Sequence, residues 1–290
     1  MQYQIKKPKK LTDTEIIDIH NIISTCNKHD SLNYTFDQAD DFKKDSDINT
    51  FLLYGKDTLL SVITLFVPRK NEAEVAAFTL PEFRRKGLFS KLLNEVKIEL
   101  TGRGIPDLLF VCDKNSKDGK NVVDHINANY EYSEYSMKLN PQKIPDLKVD
   151  TGLQIRETIL NDKPDLSEIN MTSFNDSKKE TEDFIDEVFL SDKRIFHTVL
   201  YHKKIIGMIG IYIEKEKYYI HGFCIDPKYR NRGLGRQTLN YIVKKSYTMK
   251  PEKEILLEVQ VDNTNALSLY KKAGFKIITA YDYSRLPINR

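Results

Sequence analysis

Three arginines flank two glycines in the stretch YRNRGLGRQTL, residues 229–239. They are Arg230, Arg232 and Arg236, with Gly233 and Gly235 between them. A strand-like apolar run ends at Asp226-Pro227 just before it, and a helical pattern follows from about Gly233. The first turn of a helix has unpaired backbone N–H groups and a partial positive charge, and glycines let an anion approach the backbone closely. Because arginines can neutralise the bound charge, the stretch predicts a site for a phosphate or pyrophosphate group.

Two other phosphate-binding motifs fit this stretch less well. A Walker loop requires GxxxxGK[ST], and the stretch lacks both the lysine and the hydroxyl at the required positions. A dinucleotide-binding fingerprint needs a third glycine, where this chain has Thr238. Nucleotide binding is therefore the weaker hypothesis, and it predicts thermal stabilisation by NAD or ATP.

The elements that must position this site are predicted from periodicity and turn residues. In the second half they are, in order, a strand at 153–157, two helical stretches, the strands IFHTVLY, IIGMIGIYI and YYIHGFCID, a helix from about Gly233 to Ser246, strand ILLEVQV, a helix from about Thr264 to Ala273, and closing strands FKIITAYDYSRL. This order predicts an α/β (α+β) fold with a mixed sheet. Its strands at 218–226 and 255–261 are expected to be parallel neighbours joined by a crossover helix.

The chain also repeats itself. Residues 75–93 resemble residues 220–239, with Phe78 placed opposite Phe223, and further on Asn129 falls opposite Gly274. A length of 290 residues favours two domains. The segment Leu139–Gly152, with two prolines and no periodicity, is typical of an exposed connector. We therefore predict two copies of one domain, at residues 1–145 and 146–290.

Composition limits the possible functions. The chain has 30% charged residues, and no apolar run approaches the roughly 18 residues of a membrane span. Its N-terminus does not resemble a secretion signal, so we expect a cytoplasmic protein. A net charge of +3 is too small to indicate nucleic-acid binding. Cys26, Cys112 and Cys224 lie far apart without histidines at metal spacing, which predicts neither disulfides nor a metal site. Monomer and homodimer are equally compatible with the sequence.

Two motifs give the second half a family resemblance. At a helix start after a strand, Arg230-Asn231-Arg232-Gly233-Leu234-Gly235 resembles R-x-x-G-x-G, motif A of the GNAT superfamily of N-acetyltransferases. A second family motif, N-x-x-A-x-x-L-Y-x-x-x-G-F, is matched by Asn263, Ala266, Leu269, Tyr270, Gly274 and Phe275. The resemblance covers most of residues 150–285. Between 220 and 276 it is similar in detail to ribosomal-protein alanine N-acetyltransferases, which also carry an LEV-type strand.

The resemblance implies two tandem GNAT-like domains, each a mixed, splayed sheet flanked by helices, with acetyl-coenzyme A as co-substrate. In that family, motif A holds the pyrophosphate, and one splayed strand pairs its backbone with the pantetheine arm. The cofactor-binding residues implied here are Phe223, Cys224, Ile225, Arg230, Asn231, Arg232, Gly233, Leu234, Gly235, Arg236 and Asn263. Asn263 also fits an ordinary helix cap, and Cys224 is interpreted as strand packing and not as a nucleophile.

Acetyl transfer to an amine needs a base for the amine proton and an acid for the leaving thiolate. The resemblance implies Tyr270 as the acid, although its helical face equally suits core packing. It implies Glu258, which interrupts the apolar strand Ile255–Val261, as a base acting through water. A salt bridge across the sheet explains that carboxylate nearly as well. His221, on the neighbouring predicted strand, is the rival base.

The first copy has lost part of the pattern. It keeps Arg84, Arg85, Lys86 and Gly87 but has Phe89 where the family prefers a small residue, and no tyrosine there matches Tyr270. We expect a domain without catalysis that shapes the substrate cleft or stabilises its partner domain. Whether Arg84 to Phe89 still bind coenzyme A stays open.

The sequence as a whole predicts an N-acetyltransferase that moves an acetyl group from acetyl-coenzyme A to a primary amine, on a small molecule or peptide, by direct attack. The alternative is a non-catalytic acyl-coenzyme A-binding sensor or structural module. The acidic run DQADDFKKDSD, Asp37 to Asp47, either flanks a cationic substrate or is a solvated face.

Overall fold

The computed structural model of this chain describes residues 2–36, 47–69, 71–143, 150–174 and 177–288. Residues 37–46 of the acidic run and 144–149 of the predicted connector lie outside the described residues. The strands are Tyr3–Lys6 (β1), Thr50–Gly55 (β2), Thr58–Arg69 (β3), Glu72–Thr79 (β4), Asp107–Asp113 (β5), Asn129–Leu139 (β6), Leu153–Glu157 (β7), Arg194–Tyr201 (β8), Lys204–Ile213 (β9), Lys217–Ile225 (β10), Glu254–Gln260 (β11) and Phe275–Pro287 (β12). The helices are Asp13–Asp30 (α1), Leu88–Gly102 (α2), Lys117–His125 (α3), Lys163–Phe174 (α4), Lys178–Leu190 (α5), Leu234–Met249 (α6) and Thr264–Lys272 (α7).

The N-terminal unit comprises Met1–Ser133 and Thr279–Arg290. Its strands are ordered β1-β2-β3-β4-β5-β12, with β4 and β5 parallel and the other pairs antiparallel. Successive residues of β2 alternate between two apolar clusters: Phe51 and Leu53 pack with α2, whereas Leu52 and Tyr54 pack with α1. Because strand side chains alternate between faces, the two helices cover opposite sides of this sheet.

The C-terminal unit comprises Glu134–Ile278. Its strands are ordered β6-β11-β10-β9-β8-β7, and the predicted parallel pairing of β10 with β11 is confirmed. Helices α6 and α7 bury their apolar sides against one sheet face, which includes Ile209 and Ile211 of β9. Helices α4 and α5 pack on the other face, with Met208. The mixed, helix-flanked sheet expected from the element order is therefore present.

The two compact units do not coincide with the two halves of the sequence divided at residue 146. The C-terminal part of β6 pairs with β11, from Leu256 opposite Lys138 to Gln260 opposite Glu134. The chain's last strand pairs with β5 instead, from Tyr281 opposite Asp113 onward. Each half of the chain thus contributes its last strand to the sheet of the other half, so the boundary falls inside β6 and again inside β12.

A buried carboxylate fixes the entry into α4. Asp162, 3% exposed, accepts bonds from Arg156 Nη1 and Nη2 at 2.6 and 2.7 Å, from the Thr198 hydroxyl at 2.8 Å, and from the Ile159 N–H at 3.0 Å. Burial by itself would raise the pKa of Asp162, but these bonds outweigh it and hold the pKa below its ordinary value. The carboxylate therefore stabilises the folded unit in its ionised form.

Replacing Asp162 with alanine is expected to lower the free energy of unfolding by about 2–4 kcal/mol, because it removes the ion-pair partner of Arg156 and an acceptor of Thr198. Urea unfolding followed by circular dichroism measures this. The folded-state pKa lies below the unfolded value of about 3.9, so the contribution is complete above that pH and fades as the pH falls further. Asp186→Ala, which removes an exposed partner of Lys163, is the control and should change stability little. Equal losses in both variants would contradict this role of Asp162.

Candidate active site

The site lies where two parallel strands separate. Strands β10 and β11 pair in register from Lys217–Glu254 to Ile220–Leu257, and their pairing ends there. A bulge between His221 and Cys224 then interrupts the pairing of β10 with β9, and Gly222 at its centre has φ of 56°. A bulge bends its strand, so β10 turns away and leaves a gap beside β11. The splayed strands implied by the resemblance are present.

Helix α6 begins beside this gap without a side-chain cap. Its N-cap residue, Gly233, has φ of 78°, and Asn231 has φ of 62°. Left-handed residues at alternate positions turn successive backbone N–H groups toward one side, and the first amides of a helix have no acceptor within it. The Leu234 side chain is buried and anchors the helix, whereas Arg236 is exposed. The helix start thus offers backbone donors and a nearby positive charge to an anion.

Gly235 keeps this helix start close to the sheet. A Cβ atom at this position would lie 3.7 Å from Phe223 Cζ, 3.8 Å from Ile225 Cγ1 and 4.0 Å from Leu269 Cδ2. These are ordinary contact distances, so one methyl group fits there. Anything larger must turn outward across the helix start.

Two arginines of the stretch have different surroundings. Arg230 Nε donates to the Ile225 carbonyl at 2.8 Å, and its Nη2 lies 3.4 Å from Ser173 Oγ. Arg230 therefore ties the loop to the end of β10. The Arg232 guanidinium lies 5.4 Å from the centre of the Tyr229 ring and is exposed. Arg232 is better placed than Arg230 to neutralise an anion on the helix start.

The last residues of β10 face the gap through their backbone. The Asp226 N–H donates to the Ile206 carbonyl of β9. Since backbone direction alternates along a strand, Ile225 and Phe223 point the other way, toward the gap. The side chains of Cys224 and Ile225 are buried in apolar clusters, and burial raises the pKa of the Cys224 thiol to about 11. That thiol is consequently neutral near pH 7.

Helix α7 lies on the β11 side of the gap and carries two predicted residues. Asn263 caps it, with Oδ1 accepting from the Ala266 N–H at 3.1 Å. Tyr270 is 8% exposed, and its ring centre lies 6.2 Å from that of Phe275. Burial raises the pKa of the Tyr270 phenol to about 12, so the hydroxyl keeps its proton at neutral pH.

Glu258 lies on the sheet face opposite the α6–α7 cluster. Ser136 of β6 is its cross-strand partner, and Glu134 lies opposite Gln260 two residues along the same face. Burial, and then the negative charge of Glu134, raise the pKa of Glu258 to about 7. Glu258 is nevertheless exposed to solvent, and the water that reaches it limits the rise in its pKa. No ion pair involves Glu258 within the described ranges; Lys138 pairs with Glu254 instead.

His221 lies at the start of the bulge and is poorly suited to accept a proton. Its ring packs edge-on against Phe196 with centres 4.9 Å apart, and Nε2 is buried without a hydrogen-bond partner among the described residues. Burial, and then the positive charge of Arg194, lower the pKa of His221 to about 3. The imidazole is therefore neutral and remains so across the physiological pH range.

Sequence reasoning missed the contribution of β6 to this face. Ser136 and Glu134 come from the first half of the chain and reach Glu258 only because β6 pairs with β11. No local sequence pattern identifies them, because β6 could equally pair with a strand of the first half of the chain. Ser173 of α4, next to Arg230, also carries no sequence signal.

The first copy keeps the shape of the helix start. Arg85 and Gly87 have φ of 58° and 73°, and Arg84 Nε donates to the Thr79 carbonyl at 3.1 Å, as Arg230 does to Ile225. This shared bond makes Thr79 the counterpart of Ile225, and hence Ala77 the counterpart of Phe223. The sequence alignment of Phe78 with Phe223 is wrong by one residue, because the bulge at Gly222 adds a position to β10.

The structure also places Phe89 and Asn129 of the first copy. Phe89 turns toward the core, where its ring centre lies 6.4 Å from that of Phe110. It therefore does not cover the start of α2. The left-handed residue after α3 is Asn127, with φ of 55°, and Asn129 begins β6, so the placement of Asn129 opposite Gly274 is wrong by two residues.

The described part of the chain contains neither a metal site nor a membrane-spanning helix. Across the described ranges, histidine, cysteine, aspartate and glutamate side chains form no cluster that could hold a metal ion. None of the described helices combines the length and apolar character needed to cross a membrane.

Comparison with known families identifies the C-terminal fold. Residues 163–275 match the sequence profile described as Acetyltransferase (GNAT) family. The C-terminal unit is a GNAT acetyltransferase domain. The match includes the helix start, the gap, Glu258 and Tyr270, and it stops at Phe275, the first residue of β12, which continues into the N-terminal unit.

Relatives of this chain agree with the assignment over short segments. It is 35% identical over 60 residues to the N-alpha-acetyltransferase RimI of Mycobacterium tuberculosis, a match covering 21% of this chain and 35% of that protein. The chain spans 16% and 35% of the lengths of the two curated relatives that it matches.

Solved structures resemble the whole chain. A GCN5-related N-acetyltransferase from Sphaerobacter thermophilus superposes with a TM-score of 0.78 at 16% identity, covering 99% of this chain and 96% of that one. A tandem GNAT protein from the clavulanic acid biosynthesis pathway gives 0.71 at 10% identity, covering 100% and 99%. At such identities the likeness establishes the fold alone, which this chain shares over its whole length with these two proteins.

The GNAT domain has the features that an acyl-coenzyme A requires. The uncapped start of α6 can receive a diphosphate, with Arg232 and Arg236 exposed beside it. The gap between β10 and β11 would leave a pantetheine arm beside the last residues of β10. The residues present therefore fit this co-substrate.

Proposed function

We propose that the GNAT domain transfers an acetyl group from acetyl-coenzyme A to a primary amine, on a small molecule or a peptide, by direct attack. The observation that carries this proposal is the uncapped, left-handed entry into α6 beside the gap between β10 and β11. A diphosphate on the helix start and a pantetheine arm in the gap would direct the thioester toward Glu258 and Tyr270. RimI, which resembles residues of this domain, is named an N-alpha-acetyltransferase, and this supports an amine acceptor.

Glu258 is the proposed base. An amine attacks only in its neutral form, so a proton must leave it before or during attack. A carboxylate with a pKa raised to about 7 can accept that proton near neutral pH, whereas the imidazole of His221, with its pKa lowered to about 3, binds a proton too weakly. Glu258 takes the proton through a water molecule, which its exposed surface permits.

Tyr270 is the proposed acid. The amine nitrogen forms a bond to the thioester carbonyl carbon, the carbon–sulfur bond breaks, and the sulfur leaves as a thiolate. The Tyr270 hydroxyl donates its proton to that thiolate and regains a proton from water, and the proton held by Glu258 passes to water, so both groups return to their starting states. A phenol with a pKa of about 12 is fully protonated at neutral pH and so is always available as a donor.

Removing this donor is expected to slow the reaction without preventing binding. Tyr270→Phe should lower kcat by about 100-fold or more, the usual contribution of a general acid, with little change in coenzyme A affinity. Thiol release from acetyl-coenzyme A against a panel of primary amines measures it. Tyr247→Phe is the control. Tyr247 lies on α6, 13 residues beyond the start of that helix, whereas Tyr270 lies on α7, so kcat should stay unchanged.

The same assay separates the enzyme from a non-catalytic acyl-coenzyme A-binding module. Turnover with at least one amine that falls in Tyr270→Phe supports the transferase. Binding without turnover for every amine, unaffected by Tyr270→Phe, would support the module and overturn the transferase.

A further inference from the structure

The N-terminal unit contains a cavity of about 630 Å³. It lies where β4 and β5 separate, after their parallel pairing ends at Val75 opposite Phe110, and helices α2 and α3 border it. Small-molecule sites typically have volumes of about 300–1,000 Å³ and mainly apolar walls. The cavity therefore has the size of a ligand site, in the unit that the proposed chemistry does not use.

Both groups proposed for catalysis are replaced by valine here. Ser116 caps α3 as Asn263 caps α7, so positions can be counted from these two residues. Five residues earlier, Val111 corresponds to Glu258, and seven residues later, Val123 corresponds to Tyr270. Val111 and Val123 both line the cavity. A ligand here therefore meets apolar side chains at the two positions that carry the proposed base and acid in the GNAT domain.

The charge at this cavity also differs from that of the GNAT domain. The Arg84 guanidinium, unlike that of Arg230, is held by two carboxylates, with Nη2 2.6 Å from Asp30 Oδ2 and Nη1 2.8 Å from Asp118 Oδ2. Besides His125, the charged lining residues are three carboxylates and two guanidinium groups: Asp30, Asp113, Asp118, Arg84 and Arg85. Their sum is slightly negative, so an anion at the uncapped start of α2 meets less positive charge than one at the start of α6.

The wall of the cavity also contains polar backbone groups. The Phe78 carbonyl accepts from Ser61 of β3, and the Leu80 N–H donates to Leu60, so both point toward β3. Because backbone direction alternates, the Ala77 N–H and carbonyl point toward the gap, beyond the end of the β4–β5 pairing. The Ala77 side chain is exposed, and it is small where its counterpart, Phe223, is large. Ala77 thus leaves room for a ligand, together with one backbone donor and one backbone acceptor.

We propose that this cavity binds an uncharged small molecule with an apolar body and one hydrogen-bonding group, and that it discriminates against anions, including the diphosphate of coenzyme A. The cavity binds this molecule without reacting with it. The site is separate from the acetyl-transfer site, and it stands whether or not the GNAT domain proves catalytic.

The test uses two fluorescent probes that differ by one sulfonate: N-phenyl-1-naphthylamine, which is neutral, and 8-anilinonaphthalene-1-sulfonate. Each is titrated into the full chain with saturating coenzyme A, and binding at the cavity is defined as the signal lost in Ala77→Trp, which places a large ring inside it. The neutral probe is expected to bind there about tenfold or more tightly than the sulfonate. Asp118→Asn, which removes one carboxylate, should raise sulfonate binding severalfold.

Ile98→Trp, at an exposed position of α2 outside the cavity lining, is the control and should leave both titrations unchanged. If Ala77→Trp does not fold, Ser90→Trp on the facing wall replaces it. Equal affinity for the two probes, an unchanged neutral-probe titration in a folded cavity-filling variant, or two equivalents of coenzyme A per chain by calorimetry would each overturn the proposal. Failure of the acetyl-transfer assay would not affect it, since no turnover is measured.

Discussion

Replacing Gly235 with phenylalanine is expected to weaken coenzyme A binding by about 100-fold or more, about 3 kcal/mol. The space inward of Gly235 is already bounded by Phe223 and Ile225, at 3.7 and 3.8 Å from the Cβ position. A benzyl side chain cannot enter it and must turn outward, over the amides at the start of α6. Isothermal titration calorimetry with coenzyme A measures the loss.

Two matched variants make this result specific. Gly235→Ala adds only a methyl group at ordinary contact distance and should retain most of the affinity. Gly102→Phe places the same side chain at the exposed end of α2, where an added Cβ meets nothing within 4 Å, and should leave the titration unchanged. Wild-type binding heat in a folded Gly235→Phe variant would show that the ligand does not approach this backbone.

Replacing Glu258 with glutamine is expected to lower kcat/KM by about 10²- to 10⁴-fold, the range found for removal of a general base. The sign of the pH dependence follows from the raised pKa. A base acts when ionised, so wild-type kcat/KM should fall about tenfold per pH unit below the raised pKa of Glu258 and level off above it. Because the variant has no carboxylate to titrate, it should lose this dependence.

The control for this prediction is Glu254→Gln on the same strand. Glu254 is exposed and pairs with Lys138, away from the gap, so both the rate and the pH profile should stay close to wild type. A Glu258→Gln variant that keeps more than half of the wild-type kcat/KM, with the same pH profile, would assign the proton transfer to another group. His221, with a pKa lowered to about 3, would give a profile already level at pH 5.

The local parts of this architecture could be predicted from the sequence. Apolar periodicity and the turn before Arg230 fix where β10 ends and α6 begins, and Asn263 caps α7 through its own side chain. These features depend on residues within one or two turns of each other. The parallel neighbours β10 and β11 follow from the crossover helix between them.

The long-range parts could not be predicted. The pairing of β6 with β11 brings Glu134 beside Glu258, although a strand following α3 is equally able to pair with β5 in its own half. The alternation of apolar residues along a strand predicts which side chains share a sheet face, but it does not predict with which neighbouring strand the strand pairs. The bulge at Gly222 likewise shifts the alignment of the repeats by one residue, because an extra strand residue has no sequence marker of its own.

The two units share one fold but have different side chains at corresponding positions beside the gap between their parallel strands. The GNAT domain places the large Phe223 against Gly235, whereas the N-terminal unit has the small Ala77 on the strand and Phe89 on the helix. Phe89 turns inward, so the start of α2 keeps its shape while the chemistry of the gap changes. Valines at the positions of Glu258 and Tyr270 complete that change.

A crystal structure of this chain with coenzyme A tests the central claim most directly. In that complex we expect diphosphate oxygens within hydrogen-bond distance of the backbone N–H groups at the start of α6, and the thiol between β10 and β11 facing Tyr270. Coenzyme A bound elsewhere on the chain, or a gap between β10 and β11 that stays closed by its own side chains, would contradict it.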